Sequence, residues 1–407
     1  MKEVNGYNLN QNEYEILLKK MYGFEEYYYY KNETHHKDYI SILNDLDKLN
    51  KLPIEYRNAL LGWYIFFKTE YRWINHKHPC FRITDSCQLK CKHCYNRKIK
   101  RTNRMMTYDE FLFLHHRLQT IGNSFVHSTF YQDKNEYHFE GGEATLNPHL
   151  LKMIKFCNKQ NIKTILLTNG YDIPDEIINY FKDTTSMNKI QVSIDGFEEN
   201  HNFMRGDGNY SKVINTIQKL QENSIPFNCN MVVHNDNVND FFPLQKFIKT
   251  KYSASTGPMI YNDQVIPELQ SLNKNDLKKI TRWRTSRGYI SCRDGYECKA
   301  GHQIIVKESG DINFCGVGLS KNITNLYTDS IEESLEKIKI NTIRYRSIPV
   351  YCFDCERLAI CKGGGLCSTH KLNGILNKED INCHQLNWKI QKEGMLEQII
   401  NGNEILR

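Results

Sequence analysis

The run Pro79-Cys80-Phe81-Arg82-Ile83-Thr84 leads within three residues into Cys87-Gln88-Leu89-Lys90-Cys91-Lys92-His93-Cys94-Tyr95. The first stretch reads as a short strand. The second places three thiols in one small loop, with three and then two residues between them. Such a loop can wrap three corners of an iron–sulfur cube. Closing a [4Fe–4S] cube normally takes four cysteines, so a set of three leaves one iron for another ligand. Zinc also favours closely spaced thiolates, and His93 could supply its fourth donor. The loop alone leaves both metals open.

Downstream of the loop, strand and helix signals alternate. Thr107-Tyr108-Asp109-Glu110 is a capping box before an apolar-periodic stretch ending near Gly122. Glu136-Tyr137-His138-Phe139 reads as a strand that runs into Glu140-Gly141-Gly142-Glu143-Ala144-Thr145. Leu150, Leu151, Ile154 and Cys157 share a helical face over His149 to Gln160. Thr164 to Leu167 is a third strand, closed by Thr168-Asn169-Gly170. Lys189 to Ile194 is a fourth, closed by Asp195-Gly196. Val213, Ile214, Ile217 and Leu220 mark another helix over Ser211 to Asn223. Pro226 to Val233 gives a fifth strand and Pro258 to Tyr261 a sixth. This alternation calls for an α/β fold with a parallel sheet covered by helices. In such sheets ligands sit beyond the carboxyl ends of the strands, where every one of these polar motifs falls.

The C-x3-C-x2-C loop after an apolar strand resembles the signature of the radical S-adenosylmethionine (radical SAM) family. The resemblance covers residues 78–265 and implies a partial (β/α)6 barrel. It also implies that SAM occupies the open iron and that its reductive cleavage yields a carbon radical able to abstract hydrogen, chemistry the cofactor carries and the protein aims. By position, Gly141-Gly142-Glu143 resembles the family's GGE motif, whose backbone and carboxylate hold the SAM amino group. The missing side chains at the two glycines would let backbone approach the ligand. Ala144 stands where the family usually has proline. The same resemblance assigns Ser193 and Asp195 to the ribose, Asn169 to the methionyl or ribose end, Arg205 to the SAM carboxylate and His93 to the adenine. Asn169 and Asp195 in simple turns, and Arg205 as a surface cation, are the plainer readings.

A second cysteine field contains Cys292, Cys298, Cys315, Cys352, Cys355, Cys361, Cys367 and Cys383. It resembles the SPASM extension found C-terminal to many radical SAM cores, here spanning 285–390 with a tail over 391–407. The resemblance implies two auxiliary [4Fe–4S] clusters, three clusters in all. It places Cys292, Cys298, Cys315 and Cys367 on the first, and Cys352, Cys355, Cys361 and Cys383 on the second. Five residues separate Cys361 from Cys367, where the family commonly has three. Two zinc-ribbon-like sites are the alternative that spacing leaves open. Cys80, Cys157 and Cys229 fall in strand or helix patterns and read as small buried apolar residues.

Residues 1–77 form an aromatic-rich extension, read as mainly helical: either a peptide-recognition module or a cap over the barrel mouth. The 407 residues are 40% hydrophobic and 25% charged, as expected for a soluble protein of two or three domains. No signal peptide opens the sequence and no apolar run reaches membrane-spanning length. Fourteen cysteines without a secretory signal point to a cytoplasmic, reducing setting. The net charge of +7 includes a stretch from Lys90 to Arg104 with no acid, either a solvated flank of an anionic cluster or an attraction for an acidic partner. No DNA- or RNA-binding signature accompanies it, so no nucleic-acid or membrane partner is expected.

Proteins with the SPASM extension mostly modify peptides. The resemblance therefore implies a radical SAM oxidoreductase that crosslinks a ribosomally made peptide through a C–C or thioether bond. A reduced flavodoxin or ferredoxin would supply electrons. A sulfatase-maturing-type oxidase or a small-molecule enzyme is the alternative on the same scaffold, and a zinc-bound nucleic-acid-binding protein the distant one. Sulfatase-maturing relatives have an aspartate after the third cysteine of the auxiliary field, where this chain has Gly316. No catalytic acid or base can be singled out; His138, Tyr261 and Asp311 are equivalent candidates.

Overall fold

The computed structural model describes residues 79–94, 96, 101–124, 136–260, 304–314 and 322–346, isolated positions between 269 and 283, and two short strands near the N-terminus. Those strands, β1 (Lys2–Val4) and β2 (Tyr7–Leu9), pair antiparallel with Val4 opposite Tyr7. Asn-Gly, the dipeptide between them, favours a tight hairpin. These six residues are extended; the mainly helical reading of the extension falls on residues beyond them. The rest of residues 1–77 lies outside the described residues, as do all eight cysteines of the second field.

The core alternates strand and helix: β3 (Cys80–Arg82), α1 (Tyr108–Ser124), β4 (Glu136–Glu140), α2 (Leu150–Lys159), β5 (Lys163–Thr168), α3 (Asp175–Asp183) and β6 (Asn188–Ser193). Then come α4 (Glu198–Arg205), α5 (Asn209–Glu222), β7 (Phe227–Val233), α6 (Val238–Tyr252) and β8 (Thr256–Ile260). Strands β3 to β8 stand side by side in sequence order, all parallel. Beyond the β3 edge, β9 (Ile305–Lys307) adds in parallel. Then β10 (Asp311–Asn313) and β11 (Thr324–Asn325) continue antiparallel, before α7 (Ile331–Arg346).

Strand alternation sends apolar residues to the helix-covered face. Phe81, Tyr137 and Phe139 are buried there, and Phe81 meets Phe111 of α1 edge-on at 5.0 Å. The capping box forms as expected: Thr107 Oγ1 accepts the Glu110 N–H at 3.2 Å, and Glu110 Oε2 accepts the Thr107 N–H at 2.7 Å. The other face carries Glu140, Leu167, Gln191, Ser193, Asn230 and Val232, which line one cavity of about 230 Å³. Among the described residues no helix is long and apolar enough to cross a membrane.

Candidate active site

The cysteine loop closes one side of that cavity, and all three thiols line it. Three attachments fix the loop. The Gly142 N–H donates to Thr84 O at 2.8 Å and the Glu143 N–H to Ser86 O at 2.7 Å. The Lys92 N–H reaches Met204 O on α4 at 2.9 Å. The Arg101 guanidinium donates to Cys87 O at 2.8 Å and to Leu89 O at 3.3 Å. A Cβ on Gly141 would stand 2.5 Å from Thr84 O, and one on Gly142 would stand 2.2 Å from Ser86 O. The two glycines therefore let β4's end press against the backbone that presents the thiols, a closer reason for them than approach to a ligand.

The donor set suits an iron–sulfur cluster. Cys87 Sγ accepts the Leu89 N–H at 3.4 Å and faces Asn169 Nδ2 at 3.7 Å, contacts that stabilise a thiolate. Burial pushes the Cys87 thiol up and the Cys91 thiol to about 11, so metal binding must displace protons. Arg205 sits close enough to both Cys91 and Cys94 to be stabilised by their thiolates. One zinc ion needs four donors at about 2.0–2.3 Å, and among the described residues no three His, Cys, Asp or Glu side chains gather for a single ion. His93 does not join the thiols either: its Nε2 lies 3.4 Å from Asp195 Oδ2 and 3.5 Å from Arg205 Nη2.

Glu143 braces the sheet at the cavity rim. Its Oε1 accepts from Thr168 Oγ1 at 2.8 Å, Thr145 Oγ1 at 2.9 Å and the Thr145 N–H at 3.2 Å. Its Oε2 accepts the Asn169 N–H at 2.7 Å. Burial raises the Glu143 pKa against these donors. Asn169 Oδ1 in turn accepts the Tyr171 N–H at 2.8 Å, which forms a turn while leaving Nδ2 toward Cys87.

Asp195 is a hub behind the cavity wall rather than part of it. It is fully buried. Oδ2 accepts Arg205 Nε at 2.6 Å, Oδ1 accepts the Val232 N–H at 2.9 Å, and its own N–H donates to His201 Nδ1 at 3.1 Å. Burial works against its charge, but the Arg205 cation overrides that and holds the carboxyl well below the usual range. Burial pushes His93 down to about 4, so the ring is neutral at pH 7 and its contact with Asp195 is not an ion pair. Ser193, Arg205, His93 and Asn169 line the cavity, as do Gly141, Gly142 and Glu143. Asp195 serves them by holding Arg205 and His93.

Two of the three proton-transfer candidates stand apart from the cavity. His138 Nε2 is held by Glu136 Oε1 at 3.0 Å, and Asp311 Oδ1 accepts from Asn325 Nδ2 at 2.9 Å. Tyr261 lies outside the described residues. Sequence reading missed Arg101, Glu140, Gln191 and Asn230, which do line it. Glu140 was visible as the residue before the double glycine. Gln191 and Asn230 carried only the strand alternation that turns every second side chain inward.

Residues 81–248 match the radical SAM superfamily. The chain is 24% identical over 160 residues to the sporulation killing factor maturation protein SkfB of Bacillus subtilis, covering 39% of this chain and 36% of that protein. It therefore spans about a third of that relative's length. It is 22% identical over 338 residues to the serine-type anaerobic sulfatase-maturating enzyme of Bacteroides thetaiotaomicron, 68% of this chain and 79% of that protein. In structure it is similar to Streptococcus suis SuiB bound to precursor peptide SuiA, with a TM-score of 0.59 at 16% identity over 90% of this chain and 93% of that one.

Proposed function

Since the chain belongs to the radical SAM superfamily, with that family's partial-barrel fold, we propose that it is a SPASM-type peptide maturase that forms a C–C or thioether crosslink in a ribosomally made peptide. The observation that carries this reading is the sharing of one cavity by Cys87, Cys91, Cys94, Glu143, Ser193 and Arg205 at the carboxyl ends of parallel strands. Cys87, Cys91 and Cys94 would hold a [4Fe–4S] cluster, which with bound SAM supplies the radical that takes hydrogen from the substrate. Arg205, aimed by Asp195, offers its guanidinium to the SAM carboxylate, and Ser193 offers a hydroxyl to the ribose. Asn169 Nδ2 bridges the Cys87 sulfur and the cavity. Glu143 fixes the ends of β4 and β5, so that the backbone at the rim keeps its position when ligand binds. Leu89, Val232 and Met259 line the cavity with apolar surface that excludes water from a reactive centre.

The same reading assigns residues 285–390 to two auxiliary clusters held by the eight cysteines named above, and residues 1–77 to peptide recognition or capping. It takes a reduced flavodoxin or ferredoxin as electron donor and places the protein in the cytoplasm. Relatives named as a maturation protein, a sulfatase-maturating enzyme and a peptide cyclase support a peptide or protein substrate, while others named as porphyrin and heme synthases keep a small-molecule substrate as the alternative. The length shared with the sulfatase-maturating relative favours one second reading, oxidation of a side chain to an aldehyde.

The experiment is anaerobic incubation of the reconstituted enzyme, SAM and a strong reductant with the short peptide encoded beside this gene, followed by mass spectrometry. A crosslink predicts loss of two hydrogens and fragment ions missing across the bridged segment, both abolished by Cys87→Ala, and no reaction with a hydrazide. An aldehyde would capture the hydrazide and select the second reading. An unmodified peptide alongside released 5′-deoxyadenosine would overturn the substrate assignment.

A further inference from the structure

Two carboxylates, Glu140 and Glu143, line the cavity and a third, Asp195, stands behind its wall. Glu143 is engaged by Thr145, Thr168 and Asn169, and Asp195 by Arg205 and Val232. Glu140 differs. Its Oε1 takes both Arg82 Nε at 3.2 Å and Arg82 Nη2 at 2.9 Å. The weakly donating Cys80 thiol is also beside the carboxylate. No N–H or O–H of the described residues reaches Oε2, although an ionised carboxylate has room for about four hydrogen bonds. The side chain keeps 15% of its surface open and lines the cavity.

Strand register defines what faces it. Phe139 pairs with Leu166 and Leu167 with Gln191, so Glu140, Leu167 and Gln191 occupy one rung across β4, β5 and β6. Two inter-strand steps separate Glu140 from Gln191 by about 10 Å, roughly the rise of three extended residues. Gln191 Oε1 accepts from Asn228 Nδ2 at 3.4 Å, and its Nε2 has no acceptor among the described residues. An acceptor, an apolar floor and a donor thus repeat the N–H, side chain and C=O of a short peptide. The charge of the donor is also constrained. Arg82 already neutralises Glu140, and Lys307 neighbours Arg82 across the β3–β9 pairing. A cationic group would meet those two cations, whereas a neutral N–H meets only the open oxygen.

We infer that Glu140 is the residue that reads the peptide substrate, its open carboxylate oxygen accepting a main-chain N–H while Gln191 donates to a carbonyl about three residues along. Arg82 is the positioning residue that fixes the carboxylate. This rests on the peptide-maturase reading and adds the contact that selects the substrate.

The test is fluorescence anisotropy of the labelled peptide encoded beside the gene, bound to anaerobic reconstituted enzyme with SAM. Copies of the peptide carrying one N-methyl group at each position in turn are compared on wild type and Glu140→Gln. A hydrogen bond to a charged acceptor predicts about ten- to a hundredfold weaker binding by Glu140→Gln. One N-methyl position should cost wild type a similar factor and cost the variant almost nothing. Glu140→Asp, which keeps the charge and the Arg82 pair, should fall between the two. The SAM-induced change in the reduced cluster's electron paramagnetic resonance spectrum should be the same in all three proteins, which separates a binding contact from a collapsed fold. Equal affinity of wild type and Glu140→Gln, or N-methyl penalties that are identical in both, overturns the assignment. Coupling of Glu140 to a peptide lysine instead of an N–H overturns the neutral donor. If wild type does not bind the peptide at all, the peptide-maturase reading fails and this inference with it.

Discussion

Two acid–arginine pairs flank the cavity, and they are built differently. Asp195–Arg205 is closed: the aspartate has no exposed surface, both its oxygens accept protein donors, and His93 packs on the pair. Arg82–Glu140 is open: one carboxylate oxygen takes two guanidinium nitrogens, the other takes no N–H or O–H of the described residues, and the side chain lines the cavity with the Cys80 thiol beside it. A closed buried pair costs desolvation that only complete hydrogen bonding offsets, so its benefit is a fixed geometry for the residues it holds. An open pair keeps acceptor capacity that a ligand can use. Burial and spare valence, more than residue type, separate the groups that build this site from those that meet its substrate.

Breaking the closed pair should have the largest effect. Asp195→Asn removes the charge opposite a buried guanidinium and leaves Arg205 uncompensated, at a cost of about 3–5 kcal/mol. Chemical denaturation should show it as a lower midpoint at unchanged slope. Gly142→Ala tests whether the loop depends on backbone contact: its Cβ would overlap Ser86 O, for about 1–3 kcal/mol of overpacking strain. Iron bound per chain should fall even where the circular dichroism spectrum is retained. Opening the open pair further is milder. Glu140→Gln keeps an acceptor for Arg82, whose Nη1 also faces Asn96 Oδ1 at 3.5 Å, so stability should fall by only about 1–2 kcal/mol, below the loss from Asp195→Asn, while peptide affinity falls about ten- to a hundredfold. A loss of stability equal to that of Asp195→Asn would erase the distinction between the pairs.

An effect absent at neutral pH and seen only in acid lies outside both pairs. His115, buried in α1 with Nδ1 2.8 Å from Tyr137 OH, is pushed down by burial to about 4 from its ordinary 6.5. Between those values the unfolded chain binds a proton that the native state refuses. Its contribution is therefore whole above pH 6.5 and declines as pH falls toward 4, by at most about 1.4 kcal/mol per pH unit. His115→Phe should flatten part of the fall in melting temperature across that window. His93 and His201, lowered to about 4 and 3 by burial, keep the remainder.

The sheet was readable because its strands carry apolar runs that end in turn residues. All six parallel strands of the core lie where the sequence placed them, to within about two residues, which is the ordinary scatter of element ends. Four helices, α3, α4, α6 and α7, escaped the sequence reading, two of them for plain physical reasons. Helix α4, Glu-Glu-Asn-His-Asn-Phe-Met-Arg, has almost no apolar stripe; tertiary contacts of His201, Met204 and Arg205 hold it. Helix α6 contains Pro243, which reads as a breaker but is accommodated within the helix. The three thiols and the glycine pair were legible because their spacing is local. Asp195's hub was not, since its contacts converge from α4 (His201 and Arg205), from Val232 of β7 and from Asn237 in the loop after it. Glu140 was passed over because only the register of three strands shows which polar group it faces.

The most direct measurement follows one hydrogen. The enzyme is turned over with SAM and a peptide uniformly deuterated at carbon, and the 5′-deoxyadenosine released is weighed. Hydrogen abstraction from the peptide predicts one deuterium in that product, with the modified peptide lighter by its lost hydrogens. Unlabelled 5′-deoxyadenosine formed at the same rate would contradict a peptide substrate at this cavity.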